Sequence, residues 1–110
     1  MTYETALAAL ADPTRRAIVE LLRDAPQPVG SLAGRFPISR PAISQHLRVL
    51  SEAGLVEADA QGARRIYRLS PDGLGSLRRY LDTLWDDALG AYARAAQTRA
   101  TEQARRSPFD

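Results

Sequence analysis

The stretch Ile38-Ser-Arg-Pro-Ala-Ile-Ser-Gln-His-Leu-Arg-Val-Leu-Ser-Glu-Ala-Gly-Leu-Val56 decides the fold, and it reads as one bounded helix. Ser39 is placed to cap its N-terminus. Arg40 and Pro41 occupy a first turn in which a missing amide proton costs nothing, and Gly54 supplies a left-handed stop. At about 100° per residue, Ala42, Ile43, Leu47, Val49, Leu50 and Ala53 collect on one side. Arg40, Pro41, Ser44, Gln45, Arg48, Ser51 and Glu52 take the other. The first side must dock on a core. The second carries no acid over its first three turns, and Arg, Ser and Gln are the side chains that reach phosphates and base edges.

On the N-terminal side, Val29 to Phe36 reads as a two-turn helix with Val29, Leu32, Ala33 and Phe36 inward. Gly30 and Gly34 weaken it, and Pro37 forces a turn. Two helices joined this way, the second with a polar outer face, form a helix-turn-helix, in which the second helix lies in the major groove. On the C-terminal side the period changes to two. Leu55 to Asp59 and Arg64 to Leu69 read as strands around Ala60-Gln61-Gly62-Ala63, a hairpin whose basic edge of Arg64, Arg65 and Arg68 is placed to touch phosphate or the minor groove.

Further out, Thr2 to Leu10 reads as a short helix with Leu7 and Leu10 on an unpartnered apolar side. Asp12-Pro13 caps a second helix that runs to about Asp24 and buries Ala17, Ile18, Leu21 and Leu22; Pro26 and Pro28 end it. Arg15 and Arg16 fall in its first turn and read as solvated bases, a phosphate clamp or a bridge to another subunit. Ser70-Pro71-Asp72 opens the last helix, where Leu74, Leu77, Leu81, Leu84, Ala88, Ala91 and Ala95 keep a heptad spacing, widened by Trp85 and Leu89 and bordered by Tyr92. A seam of this kind is expected to join two subunits, or alternatively to serve an intramolecular core. Beyond Gln97 the chain is polar, so residues 1–98 are read as the domain and 99–110 as a disordered tail.

At 110 residues the chain is one domain's worth, mainly α with a small β-hairpin, and it lacks an apolar run or leader for a membrane. A cytoplasmic location is expected. Without cysteine there is no disulfide or thiolate metal site. His46, the only histidine, sits at the margin of the apolar face and reads as a hydrogen-bonded structural residue. With no second ligand, nucleophile, phosphate loop or dinucleotide fingerprint, the chain is not read as an enzyme, and no cofactor is expected. All fifteen basic residues are arginine. Between Ser31 and Ser70 six of them face three acids (Glu52, Glu57 and Asp59), so the positive charge concentrates around the reading helix and hairpin.

The order helix, helix, helix-turn-helix, hairpin, helix is a winged helix-turn-helix, α-α-α-α-β-β-α. Ala9 to Ile18, Phe36 to Leu50, Ala53 to Val56 and Gly62 to Leu69 together resemble the ArsR/SmtB family of bacterial transcriptional regulators, a likeness spanning roughly residues 7 to 95. The resemblance implies a homodimeric repressor of double-stranded DNA that binds an inverted-repeat operator. Ser39, Arg40, Pro41, Ser44, Gln45 and Arg48 would read DNA, with Arg64, Arg65 and Arg68 on the wing. Leu7, Leu10, Leu77, Leu81, Leu84, Trp85, Ala88 and Tyr92 would form the dimer interface. The alternative is a protein-interaction module without specific DNA binding; the acid-free face of the reading helix weighs against it. A small organic effector near Trp85, Tyr92, Tyr80 and Leu89 is a third reading. The chain departs from the metal-sensing members: Val29-Gly30-Ser31-Leu32 stands where they carry a Cys pair, and the last helix has Asp82, Asp86 and Asp87 but no His, so no metal site is expected.

Overall fold

Hydrogen bonding at the helix ends sets the element boundaries in this computed structural model, which describes residues 3–105. Asp12 caps α2 (Pro13–Asp24) by accepting from the Arg15 amide at 2.9 Å, with Pro13 in the first turn. The preceding helix, α1 (Tyr3–Leu10), is closed from the far side. Arg15 Nε donates to the Ala9 carbonyl at 2.6 Å, and Arg16 Nη1 donates to those of Leu10 and Ala11 at 2.8 and 3.1 Å. Positive charge is favourable at a helix C-terminus, so this pair caps α1, Arg15 partly buried and Arg16 exposed.

A strand absent from the sequence reading follows. β1 (Gln27–Pro28) pairs with β3 (Arg64–Leu69), Gln27 opposite Tyr67 and Pro28 opposite Ile66, and β3 pairs with β2 (Val56–Gln61), so the hairpin becomes a three-stranded antiparallel sheet ordered β1-β3-β2. Two residues show no period, and proline normally ends strands. β1 is an edge strand, where a missing N–H is tolerated. The hairpin turn is tighter than expected: Gln61 pairs with Arg64, leaving Gly62 and Ala63 as the loop, with Gly62 at φ +62.

α3 (Val29–Ala33) is a single turn with Leu32 fully buried, and the Arg35 and Phe36 amides continue it as turns. In α4 (Arg40–Glu52), Ser39 accepts from the Ala42 amide at 3.3 Å, and Ile43, Leu47 and Leu50 are fully buried. Its far end is a Schellman stop. The Leu55 amide donates to Leu50 and the Gly54 amide to Ser51, each at 3.0 Å, with Gly54 at φ 77. Ala6, Ala9, Ile18, Leu22 and Leu32 meet the inner face of α4, with Leu55 and Val56, in one core.

The chain divides into two compact units, Met1–Arg78 and Arg79–Asp110. α5 (Pro71–Arg105) begins in the first, where Leu74 and Leu77 pack against the core. A Cβ on Gly73 would overlap the Gly54 carbonyl, so only glycine fits there. The fraying expected beyond Gln97 does not set in, because helix formers such as Ala100, Gln103 and Ala104 fill this end and α5 holds through Arg105. Thr98 and Thr101 donate their hydroxyls to the Arg94 and Gln97 carbonyls. Residues 99–105 of the expected tail are thus helical. Residues 106–110 of that tail lie outside the described residues.

Gly73→Ala should destabilise the protein by about 1–3 kcal/mol in denaturant unfolding, since the overlapping atom is backbone and cannot rotate away. Gly30→Ala, whose Cβ meets nothing within 4 Å, should be as stable as the native chain or slightly more so. A second expectation concerns pH. The Asp12 carboxyl is held below its ordinary range by the backbone hydrogen bond from Arg15, partly opposed by burial and reinforced by the Arg15 and His46 charges. A depressed folded value stabilises above the unfolded pKa, and that contribution is lost as pH falls through the folded one. Asp12→Ala should therefore melt earlier near neutral pH, and the gap to the native chain should close under acid conditions below the ordinary carboxylate range. A gap that stays constant would remove the electrostatic part of the cap.

Candidate nucleic-acid interface

The outer face of α4 presents Arg40, Pro41, Ser44, Gln45 and Arg48 to solvent, together with the cap Ser39. All six are exposed because the 3.6-residue period that sinks Ile43, Leu47 and Leu50 into the core turns these positions outward. The two ends of the face differ. Arg40 has no counter-charge among the described residues, whereas Arg48 Nε lies 3.3 Å from Glu52 Oε1, one turn on. Both side chains of that pair are about 70% exposed (72% and 67%), so the contact is weak and a phosphate can displace it.

The wing arginines separate more sharply. Arg68 Nη2 lies 2.6 Å from Glu57 Oε2 and Arg68 Nε 2.8 Å from Asp59 Oδ2, two acids on the facing strand. The hydrogen bond to Asp59, followed by the charges of Asp59 and Glu57, raises the Arg68 pKa above its ordinary value. Glu57 is itself held in place by the Ser70 hydroxyl, which donates to its Oε1 at 2.9 Å. Arg68, expected on the DNA face, is therefore committed to the sheet. Arg64 and Arg65 are exposed at the tip, with no such partner among the described residues.

His46 is partly buried on α4, its Nδ1 4.0 Å from Asp12 Oδ2 beside the start of α2, too long for the hydrogen bond expected of it. Among the described residues no group of three or more His, Cys, Asp or Glu is placed to hold a metal ion, and no helix is long and apolar enough to cross a membrane.

The residues expected at a subunit seam fall into two groups. Leu10 and Leu77 are partly buried against the core of the first unit. Leu7 is exposed on α1, and on α5 Leu81, Leu84, Trp85, Ala88, Leu89 and Tyr92 are all exposed, Trp85 by 65% and Tyr92 by 68%. The sequence reading did not include Ser31 or Gly30 in the interface. They line a cleft with Arg40, Arg64 and Arg65, and only the β1–β3 pairing, invisible in the sequence, brings them there.

An exposed helix face with no acid in its first three turns, beside an unpaired arginine tip, is an arrangement that can grip a phosphate backbone and read base edges. Comparison with known proteins agrees. Residues 10–58 match the helix-turn-helix domain family. The chain is 54% identical over 90 residues to the HTH-type transcriptional regulator Rv2034 of Mycobacterium tuberculosis, covering 82% of this chain and 84% of that protein. It superposes on an ArsR-like transcriptional regulator from Rhodococcus sp. RHA1 with a TM-score of 0.71 at 38% identity, covering 86% of this chain and 92% of the other. A third likeness is to the homodimeric winged helix-turn-helix DNA-binding domain of Mb0332 from Mycobacterium bovis, a possible ArsR-family transcriptional regulator, with a TM-score of 0.62 at 27% identity over 76% of this chain and 78% of that one. The chain belongs to the ArsR family of winged helix-turn-helix transcriptional regulators, which are DNA-binding proteins and not enzymes.

Proposed function

We propose that the protein is a homodimeric repressor, working in the cytoplasm, that binds an inverted-repeat operator with one α4 in each half-site. The observation that carries this reading is the exposed outer face of α4, which holds Ser39, Arg40, Pro41, Ser44 and Gln45 without an acid among them. Gln45 and Ser44 supply base contacts, with Arg40 and Arg48 reaching nearby phosphates. Arg64 and Arg65 hold the backbone from the wing, and Arg68 keeps the wing in shape. Repression follows from occupancy, because a dimer seated on a promoter excludes polymerase.

The dimer rests on the apolar row of α5, and Leu7 on α1 is a further exposed apolar residue. Leu81, Leu84, Trp85, Leu89 and Tyr92 are large side chains exposed on one chain, more than a monomer usually leaves in water. The homodimeric state of the similar Mb0332 domain supports the same reading. A small organic effector would find its aromatic contacts, Trp85 and Tyr92, in that row.

Sedimentation of the full chain, alone and with its own promoter fragment, tests the proposal. The native protein should run at twice the monomer mass and bind the fragment as one dimer, with half-sites on the order of 10 bp apart. Leu84→Glu with Trp85→Glu should give a folded monomer whose operator affinity is at least about a hundredfold lower, since bivalency is lost. A native monomer that binds the operator fully would overturn the dimer. The arginines make a separate expectation: Arg64→Ala should weaken specific and non-specific binding alike and reduce the slope of log affinity against log salt by about one, whereas Arg68→Ala should leave the slope nearly unchanged and lower thermal stability.

A further inference from the structure

Between the first residue of α4 and the tip of the wing lies a cleft of about 440 Å³, and three elements build it. α4 gives Arg40, the start of β3 gives Arg64 and Arg65, and the start of α3 gives Gly30 and Ser31 beside Pro28. The β1–β3 ladder holds these parts together, because Pro28 pairs with Ile66, two residues after Arg64. None of the three guanidinium groups has a counter-charge among the described residues, although Arg48 on α4 has one and Arg68 on β3 has two. Like charges gathered on one concave surface repel each other, and an anion between them relieves that repulsion.

The donor set identifies the anion. A guanidinium fork matches phosphate oxygens in pairs, and the Ser31 hydroxyl adds a neutral donor. Gly30 lines the cleft, and a Cβ there would meet nothing within 4 Å, so packing places no demand for glycine at that position. The volume falls within the range of small-molecule pockets, roughly 300–1,000 Å³, and is more than one backbone phosphate occupies.

We infer that this cleft is a phosphate site, filled by one backbone phosphate in the DNA complex and, in the free protein, by a phosphate-bearing small molecule that competes with DNA for the same arginines. The DNA phosphate and the competition rest on the operator-binding reading above; the binding of a free phosphate compound in the cleft does not. A di- or triphosphate, or a phosphate ester with a small organic body, is the class of free ligand that suits the size and the three charges.

Inorganic pyrophosphate is the probe, titrated into the DNA-free full chain at fixed ionic strength so that general screening stays constant. Saturable shifts of the Gly30, Ser31 and Arg65 amides in two-dimensional NMR are expected. Arg64→Gln and Arg65→Gln should each weaken binding about tenfold or more, and Arg23→Gln, on the exposed side of α2, should not. Gly30→Leu fills the cleft while leaving every charge in place, so it should abolish pyrophosphate binding with no loss of thermal stability. In the DNA arm, pyrophosphate should raise the apparent Kd for the promoter fragment in the native chain and not in Gly30→Leu. Replacing single DNA phosphates by methylphosphonate should reveal one position per half-site whose effect disappears in Arg64→Gln.

Diffuse, non-saturating shifts, or full pyrophosphate binding by Gly30→Leu, would overturn the site. Pyrophosphate bound in the cleft without competition against DNA would overturn the shared use. A protein that binds pyrophosphate there but no DNA would leave the phosphate site standing and overturn the operator-binding reading instead.

Discussion

The stop at Gly54 and Leu55 is the constraint on which the remaining structure depends. Leu55 is fully buried, its amide closes the end of α4 on Leu50, and its carbonyl accepts from the Ser70 amide at 2.9 Å. Gly73, in the first turns of α5, lies directly against the Gly54 carbonyl. The reading helix, the first wing strand and the last helix therefore all leave one small region of backbone. α4 cannot rotate about its axis to present another face without breaking the hydrogen bonds that define where β2 and α5 begin. A reading surface needs that rigidity, because base-edge contacts tolerate little displacement of the side chains that make them.

Electrostatics divides the surface in a way that charge counting does not. Three acids between Ser31 and Ser70 are spent on two arginines, Glu52 on Arg48 and both Glu57 and Asp59 on Arg68. Among the described residues, the arginines left without an ion pair in that stretch are Arg35, Arg40, Arg64 and Arg65. Arg40, Arg64 and Arg65 line one cleft, Arg35 lies outside it, and at the base of the wing the two acids outweigh Arg68. The Arg68 cluster has a mechanical role that follows from its register. It joins residues 57, 59 and 68 across the strand pair, and Ser70 ties Glu57 to the start of α5, so the tip arginines are carried on a stiffened ribbon.

What could be read in advance follows from which signals repeat. The caps at Asp12 and Ser39, the buried stripe of α4 and the Gly54 stop were legible because each is a local rule applied to neighbouring residues. β1 was not, since Gln27 and Pro28 are too few to show a period and become a strand only when β3 arrives beside them. The roles of the arginines were equally hidden. Arg15 and Arg16 are next to each other in sequence and reach back to α1, and Arg68 looks like Arg64 and Arg65 until the hairpin register puts acids opposite it. The length of α5 is ambiguous in the sequence for another reason: polarity signals exposure, and a polar run rich in Ala, Gln, Glu and Arg is also a good helix.

The two ends of the functional reading depend on each other energetically. One α4 with two wing arginines offers few phosphate contacts, and since most non-specific affinity comes from counterion release, a single copy would hold DNA weakly at physiological salt. Doubling the copies on one duplex makes the second contact intramolecular and multiplies the affinity without adding a new kind of bond. The apolar row from Leu81 to Tyr92 is suited to provide that second copy, and its exposure on one chain is unfavourable until it does. The same arithmetic makes a phosphate site at the wing an effective point of control. When so few contacts hold each half-site, a ligand that occupies three arginines removes a large share of the electrostatic term, and in a dimer it removes it twice.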